Sequence, residues 1–240
     1  MNRQLKEKLL LLAEKYEVAE FIQEDPIQIP HRYSKKTDIE ISALVTSWIA
    51  TGNRKSIIRS AEKIDVEVFG HAPLDYILNA HWDTYKGNKK SFYRYYSFND
   101  FYLLCQTLKS VYSENDSLED YLWNNLPEVS SLKALQALFG HVNGMPEPNS
   151  NSEAKKLCMF LRWVVRKDSP VDLGIWEHYH SRDLIIPLDT HVHRISLDLG
   201  LTEKGKSIKT ARAITEALQE VWADDPVKGD FALFGYGINE

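Results

Sequence analysis

Along most of its length the sequence spells out helix starts, apolar stripes of period 3.6 and helix stops, with no convincing strand-like alternation. Thr37 with Glu40 three residues later has the spacing of a capping box. Ile41, Leu44, Val45, Trp48 and Ile49 follow as an apolar stripe that stops at Gly52. Asn53 can cap the next helix, whose inner face would carry Ile57, Ile58, Ala61 and Ile64. Phe98 to Tyr112, Ser117 to Leu126 and Leu132 to Phe139 keep the helical period, the last ended by Gly140. Ser150 and Glu153 form a second capping-box pair and predict a helix to about Lys167. Asp189 opens another, closed by Gly200 at the position after the helix end where glycine is favoured. Ser207 to Trp222 is helical, and Pro226 can start a last helix. A short strand near Leu184 to Leu188 is the one departure this pattern allows. The fold class predicted is all-α.

A chain of 240 residues, 43% hydrophobic and 26% charged, can bury a substantial core. No apolar run is long enough to cross a bilayer. Met1 to Lys8 leads into a charged amphipathic helix rather than a signal sequence, so no membrane association and a cytoplasmic location are expected. Cys105 and Cys158 are the only cysteines, which excludes a disulfide framework and an iron–sulfur cluster held by this chain; both read as buried thiols. A net charge of −5 argues mildly against nonspecific coating of nucleic acid but leaves room for a local basic groove.

Two segments stand apart from the helices. Residues 141–152 hold the clearest turn chemistry in the chain. Tyr85 to Tyr96 interleaves Lys86, Lys89, Lys90 and Arg94 with five aromatics, as stacking platforms beside phosphate-binding lysines do. A solvated loop with its aromatics packed inward reads the same way, and the charge run by itself favours that plainer reading.

Chemistry is concentrated in two helices. In the first, Leu157, Phe160, Leu161 and Val164 face a core while Lys155, Arg162 and Arg166 form a basic stripe flanked by Lys156 and Lys167. Lys155 and Lys156 stand in the opening turns, where the helix dipole and neighbouring cations disfavour the ammonium form, so either can become a nucleophile. Taken alone, the stripe reads more simply as a solvated face. The second helix begins at Asp189, whose carboxylate would cap the first-turn N–H groups. Behind it Val192, Ile195 and Leu199 form the inner stripe, and His191, Arg194 and Asp198 share another face. His191 and His193 invite a metal, but residues two apart on a helix point about 200° apart and do not chelate one ion, so no metal and no cofactor are expected.

The segment Leu188-Asp189-Thr190-His191-Val192-His193-Arg194-Ile195 resembles the V-D-T-H-x-x-R-V segment of the helix-hairpin-helix, endonuclease III-like DNA glycosylases. Lys156-Leu157-Cys158-Met159-Phe160 is similar to the lysine-bearing helix of the archaeal 8-oxoguanine branch, with a similar separation to the aspartate. Ala43 to Thr51 resembles the early L-L-S-x-Q-A-T helix, with Ile49 at the glutamine position. Closer still is an uncharacterised bacterial family related to these glycosylases, which Asp38 to Ile41, Met159 to Asp168, Pro187 to Val192 and Asp230 to Gly235 resemble. The L-P-G-V-G hairpin has no counterpart, because the Gly140 to Ser152 loop contains no G-x-G.

This resemblance implies a two-lobed helical fold with a cleft between lobes, spanning residues 1–240, with a middle lobe at 37–167 and a second lobe of 1–36 with 168–240. It implies cleavage of the N-glycosidic bond of a flipped base in damaged or single-stranded DNA. Lys156 would be the nucleophile and Asp189 the carboxylate. Lys155, Arg162, Arg166, His191 and Arg194 would contact DNA, and Trp48 would stack or pack. Two alternatives remain open: a nucleic-acid-binding protein that keeps the fold without catalysis, and an enzyme acting on free nucleosides.

Overall fold

The computed structural model describes residues 1–238, and these are predominantly helical, as the periodicity predicts. In chain order the helices are α1 (Arg3–Tyr16), α2 (Lys36–Trp48), α3 (Arg54–Lys63), α4 (Pro73–Leu78), α5 (Phe98–Tyr112), α6 (Leu118–Asn125) and α7 (Ser131–Phe139). They continue as α8 (Lys155–Val165), α9 (Thr190–Asp198), α10 (Ile208–Gln219) and α11 (Gly229–Ile238). Among the described residues no helix is long and apolar enough to cross a membrane.

Most caps fall where their side chains placed them. The Oδ1 of Asn53 accepts from Ser56 N at the start of α3, and Ser97, Ser117, Ser130 and Ser207 do the same for α5, α6, α7 and α10. Gly200, with φ +68°, ends α9. Both expected capping boxes fail. The N-cap of α2 is Lys35, without a side-chain bond, and Glu40 is instead fully buried. It accepts from Tyr112 Oη at 2.9 Å, Leu118 N at 2.9 Å and Glu119 N at 3.3 Å, so it caps α6 rather than its own helix. Ser150 likewise binds Ser152 N, and α8 starts later, at an Ala154 cap with φ +52°. The expected strand at Leu184 to Leu188 is absent: this stretch is buried, irregular chain. A two-stranded antiparallel hairpin appears elsewhere, β1 (Ser91–Tyr93) with β2 (Tyr96–Ser97).

The chain divides into two compact units, Met1–Gln23 with Asn149–Glu240, and Glu24–Pro148. Asn239 and Glu240, the end of the lobe expected from 168 onward, lie outside the described residues. The later boundary falls inside the turn-rich 141–152 segment, not at 167, so α8 belongs with the termini and not with the middle of the chain. Physically, the arginines of α8 find their counter-ions among residues from both ends of the sequence, as described below.

In the central unit, α2 is buried on every side from Ile39 to Trp48. The Trp48 indole stacks on Tyr96 at 4.6 Å and donates to the Asn143 carbonyl at 2.8 Å. Phe92 lies flat on Phe101 at 4.3 Å. In the terminal unit, α1 and α11 approach closely at Gly235, where any side chain would collide with the Tyr16 ring. Phe21 meets both Phe231 and Phe234 edge-on at 5.2 Å. Both cysteines are buried, and desolvation pushes the Cys158 thiol up to about 12 and that of Cys105 well above its ordinary value.

A capped carboxylate beside a buried ion-pair network

Asp189 is delivered by the apolar stretch Leu184 to Leu188, all of it buried, with Ile186 N donating to Thr215 Oγ1 at 3.0 Å. Its backbone stays extended (φ −105°) while its Oδ1 accepts from Val192 N at 2.8 Å, so the carboxylate is held at the start of α9. The side chain is half-buried. Close by is Asp230, in the first turn of α11, whose carboxyl is pushed up to about 6, chiefly by burial. Arg162 counteracts that rise, and the Asp189 charge adds to it.

The Asp230 carboxylate receives Nη1 of Arg162, whose Nε donates to Asp172 at 3.2 Å. One turn further along α8, Arg166 donates from Nη1 to Asp172. It binds Asp225 through Nε at 2.9 Å and Nη2 at 2.7 Å, and Glu17 through Nη2 at 2.7 Å. Lys228 reaches Glu17 at 3.2 Å, and Ser169 Oγ donates to Glu17 at 2.9 Å. Both guanidinium groups also stand over the Phe231 ring, at 4.7 and 5.5 Å. Three cations thus face four carboxylates in a region where Arg162 is 5% and Arg166 1% exposed. Burial raises the Asp172 and Asp225 carboxyls, whereas the Arg166 and Lys228 charges and the bonds from Arg166 and Ser169 bring Glu17 below its usual range despite burial.

This corrects the basic stripe. Arg162 and Arg166 are neither a solvated face nor phosphate ligands; their donors are consumed by carboxylates inside the terminal unit. The signal was present in the sequence. Two arginines four residues apart on a helix otherwise lined by Leu157, Phe160, Leu161, Trp163 and Val164 leave little polar face for solvated charge, and a buried cation requires counter-ions. Asp230, Asp172, Asp225 and Glu17 were not singled out because nothing local marks which carboxylates those would be.

The remaining expected site residues are distributed as follows. Lys156 is half-buried in the first turn of α8, and desolvation lowers its ammonium to about 8. It lies six residues before Arg162, about 9 Å along the helix axis. Lys155 shares the angular position of Arg162 and Arg166, with Lys156 rotated from it by about 100°. His191 is half-buried and packs against Gly237, where a side chain would strike its ring. His193 turns elsewhere, its Nε2 2.7 Å from the Lys204 carbonyl, so the two imidazoles have different surroundings. Arg194 is exposed and pairs only loosely with Asp198 at 4.0 Å. Trp48 is in the central unit with no exposed surface, which corrects its reading as a stacking residue: it packs. The structure therefore brings Asp189 to Asp230 and the Arg162 network, and places Lys156 on the helix that carries that network.

No curated protein and no solved structure matches the chain. Residues 25–239 match the family described as "Protein of unknown function (DUF2400)", which takes in Asp189, Asp230 and the whole of α8. A match over that span means that the chain belongs to this family.

Proposed function

We propose that the chain is a nucleic-acid N-glycosylase with lyase activity, acting through Lys156 and Asp189 and requiring no cofactor. A glycosylase-like two-lobed arrangement with a cleft and DNA as partner are parts of the same proposal. The observation that carries it is a half-buried amine near pKa 8 in the same unit as a carboxylate fixed at a helix start. At neutral pH a fraction of Lys156 is unprotonated and nucleophilic.

In this reading Nζ of Lys156 attacks C1′ as the bond to the base breaks, and the electron pair leaves on the base nitrogen, which takes a proton from water. Asp189 stabilises the positive charge developing at the sugar and accepts the proton from the attacking nitrogen. That proton passes to O4′ as the C1′–O4′ bond opens, leaving an iminium on the lysine. Loss of a C2′ proton then expels the 3′ phosphate.

Borohydride trapping on DNA containing 8-oxoguanine, uracil or an abasic site tests this. A covalent adduct is expected with the natural sequence and with Lys155→Ala, and its loss with Lys156→Ala. An adduct that survives Lys156→Ala and disappears with Lys155→Ala moves the nucleophile by one residue. No adduct on any of the three substrates refutes the lyase chemistry. The burial of Arg162 and Arg166 favours one second reading, an enzyme acting on free nucleosides, because it removes two expected phosphate contacts. Release of base from nucleosides, without binding to any strand, would establish that reading instead.

A further inference from the structure

Between Asp83 and Asp100 the chain carries Lys86, Lys89, Lys90 and Arg94 and no carboxylate, within a protein whose net charge is −5. The fold turns this stretch into the β1–β2 hairpin and the loop that leads into it. Tyr85, Phe92 and Tyr96 pack inward, against Phe98, Phe101 and Trp48 respectively. Tyr93 donates its hydroxyl to the Thr51 carbonyl at 3.1 Å. Tyr95 does not join them: it is 76% exposed at the tip.

The tip is built to hold that side chain out. Arg94, the first of the two turn residues, has φ +51°, a conformation in which glycine is the usual occupant. Its guanidinium donates to the Thr51 carbonyl at 3.0 Å and occupies space that only Gly52 leaves open. Ser91 Oγ donates to the Arg94 carbonyl at 3.2 Å, and Asn143 Nδ2 to the Tyr95 carbonyl at 3.3 Å. The backbone under Tyr95 is therefore anchored from both sides while its ring faces solvent. Strained, over-determined turns of this kind concentrate at binding sites.

We propose that this hairpin binds single-stranded nucleic acid, an unpaired base stacking on Tyr95 while Lys86, Lys89, Lys90 and Arg94 contact the flanking phosphates. A single projecting ring suits an unstacked base, and the four cations match a polyanion; a base within a duplex offers no free face. The inference takes up the nucleic-acid partner of the proposed function but stands on the central unit alone, apart from Lys156 and Asp189.

Fluorescence anisotropy of a labelled oligothymidylate of about twelve residues, titrated at several salt concentrations, is the test. Tyr95→Ala is expected to weaken binding roughly tenfold and Tyr95→Phe by no more than about twofold, since stacking needs the ring and not the hydroxyl. Replacing Lys89 and Lys90 with serine should flatten the salt dependence by about one unit of log–log slope. Because Tyr95 is exposed, thermal melts of its variants should coincide with that of the unmodified chain, so weaker binding is not misfolding. Failure of the unmodified chain to bind at low salt overturns the inference, as does Tyr95→Ala binding equally well. So does Tyr95-dependent binding to phosphatidylserine vesicles without binding to the oligonucleotide. A chain that binds through Tyr95 but never traps covalently leaves this inference standing while the glycosylase chemistry fails.

Discussion

Replacing Arg166 with alanine separates a buried structural cation from a DNA-contacting one. In the fold its guanidinium satisfies Glu17, Asp172 and Asp225 at 1% exposure. Removing it leaves three carboxylates in a low-dielectric region with Arg162 and Lys228 as the remaining counter-ions. Breaking a buried pair by deleting one partner costs about 3–5 kcal/mol, and a residue serving three acceptors belongs near the upper end. Against a total stability of roughly 5–15 kcal/mol that is a large share, and for a chain of this size it corresponds to a fall in Tm on the order of 10 °C. Arg194→Ala provides the control: its exposed pair is at 4.0 Å, and its loss should shift Tm by no more than about 2 °C. Far-UV circular dichroism melts at low and high salt make the measurement, with the Arg166 effect persisting at high salt because the pair is shielded from solvent ions. A Tm for Arg166→Ala within about 2 °C of the unmodified chain, accompanied by a salt-dependent loss of DNA affinity, would refute the reasoning and restore Arg166 as a phosphate ligand.

Two further expectations concern carboxylates. With Asp230 pushed up to about 6 in the fold, the folded state keeps a proton that the unfolded chain releases at its ordinary aspartate value. Its stabilising contribution is complete below that ordinary value and is lost as pH rises to about 6, so Asp230→Asn should flatten the fall in urea midpoint over this window; parallel profiles would count against the assignment. Glu40→Ala should leave Tyr112 Oη and the first N–H groups of α6 unsatisfied, at a cost of roughly 3 kcal/mol in urea denaturation. Glu40→Gln, which retains an acceptor, should recover more than half of that loss.

Local chemistry was legible in the sequence wherever one residue acts on its near neighbours. Asn53, Asp189 and Gly200 do at helix ends what their positions implied, and the 141–152 turn segment contains a unit boundary. The two capping boxes failed for a common reason: the spacing states what Glu40 and Ser150 can do locally, whereas tertiary contacts gave each something else to bind. Glu40 was drawn to a helix start 78 residues away. Likewise the Tyr85 to Tyr96 segment showed cations among aromatics, but only packing decided that three rings turn inward and Tyr95 remains outside.

Sequence by itself determined the helical class, most helix ends and the capping role of Asp189, because period and capping depend on interactions within about four residues. Tertiary structure decided that Arg162 and Arg166 are buried, which carboxylates neutralise them, and that Asp230 lies near Asp189. Those contacts join groups as far apart in sequence as Glu17 and Arg166, separated by 149 residues. Burial in a low-dielectric interior, which shifts Lys156 and Asp230 from their ordinary titration, exists only once the chain has closed around them.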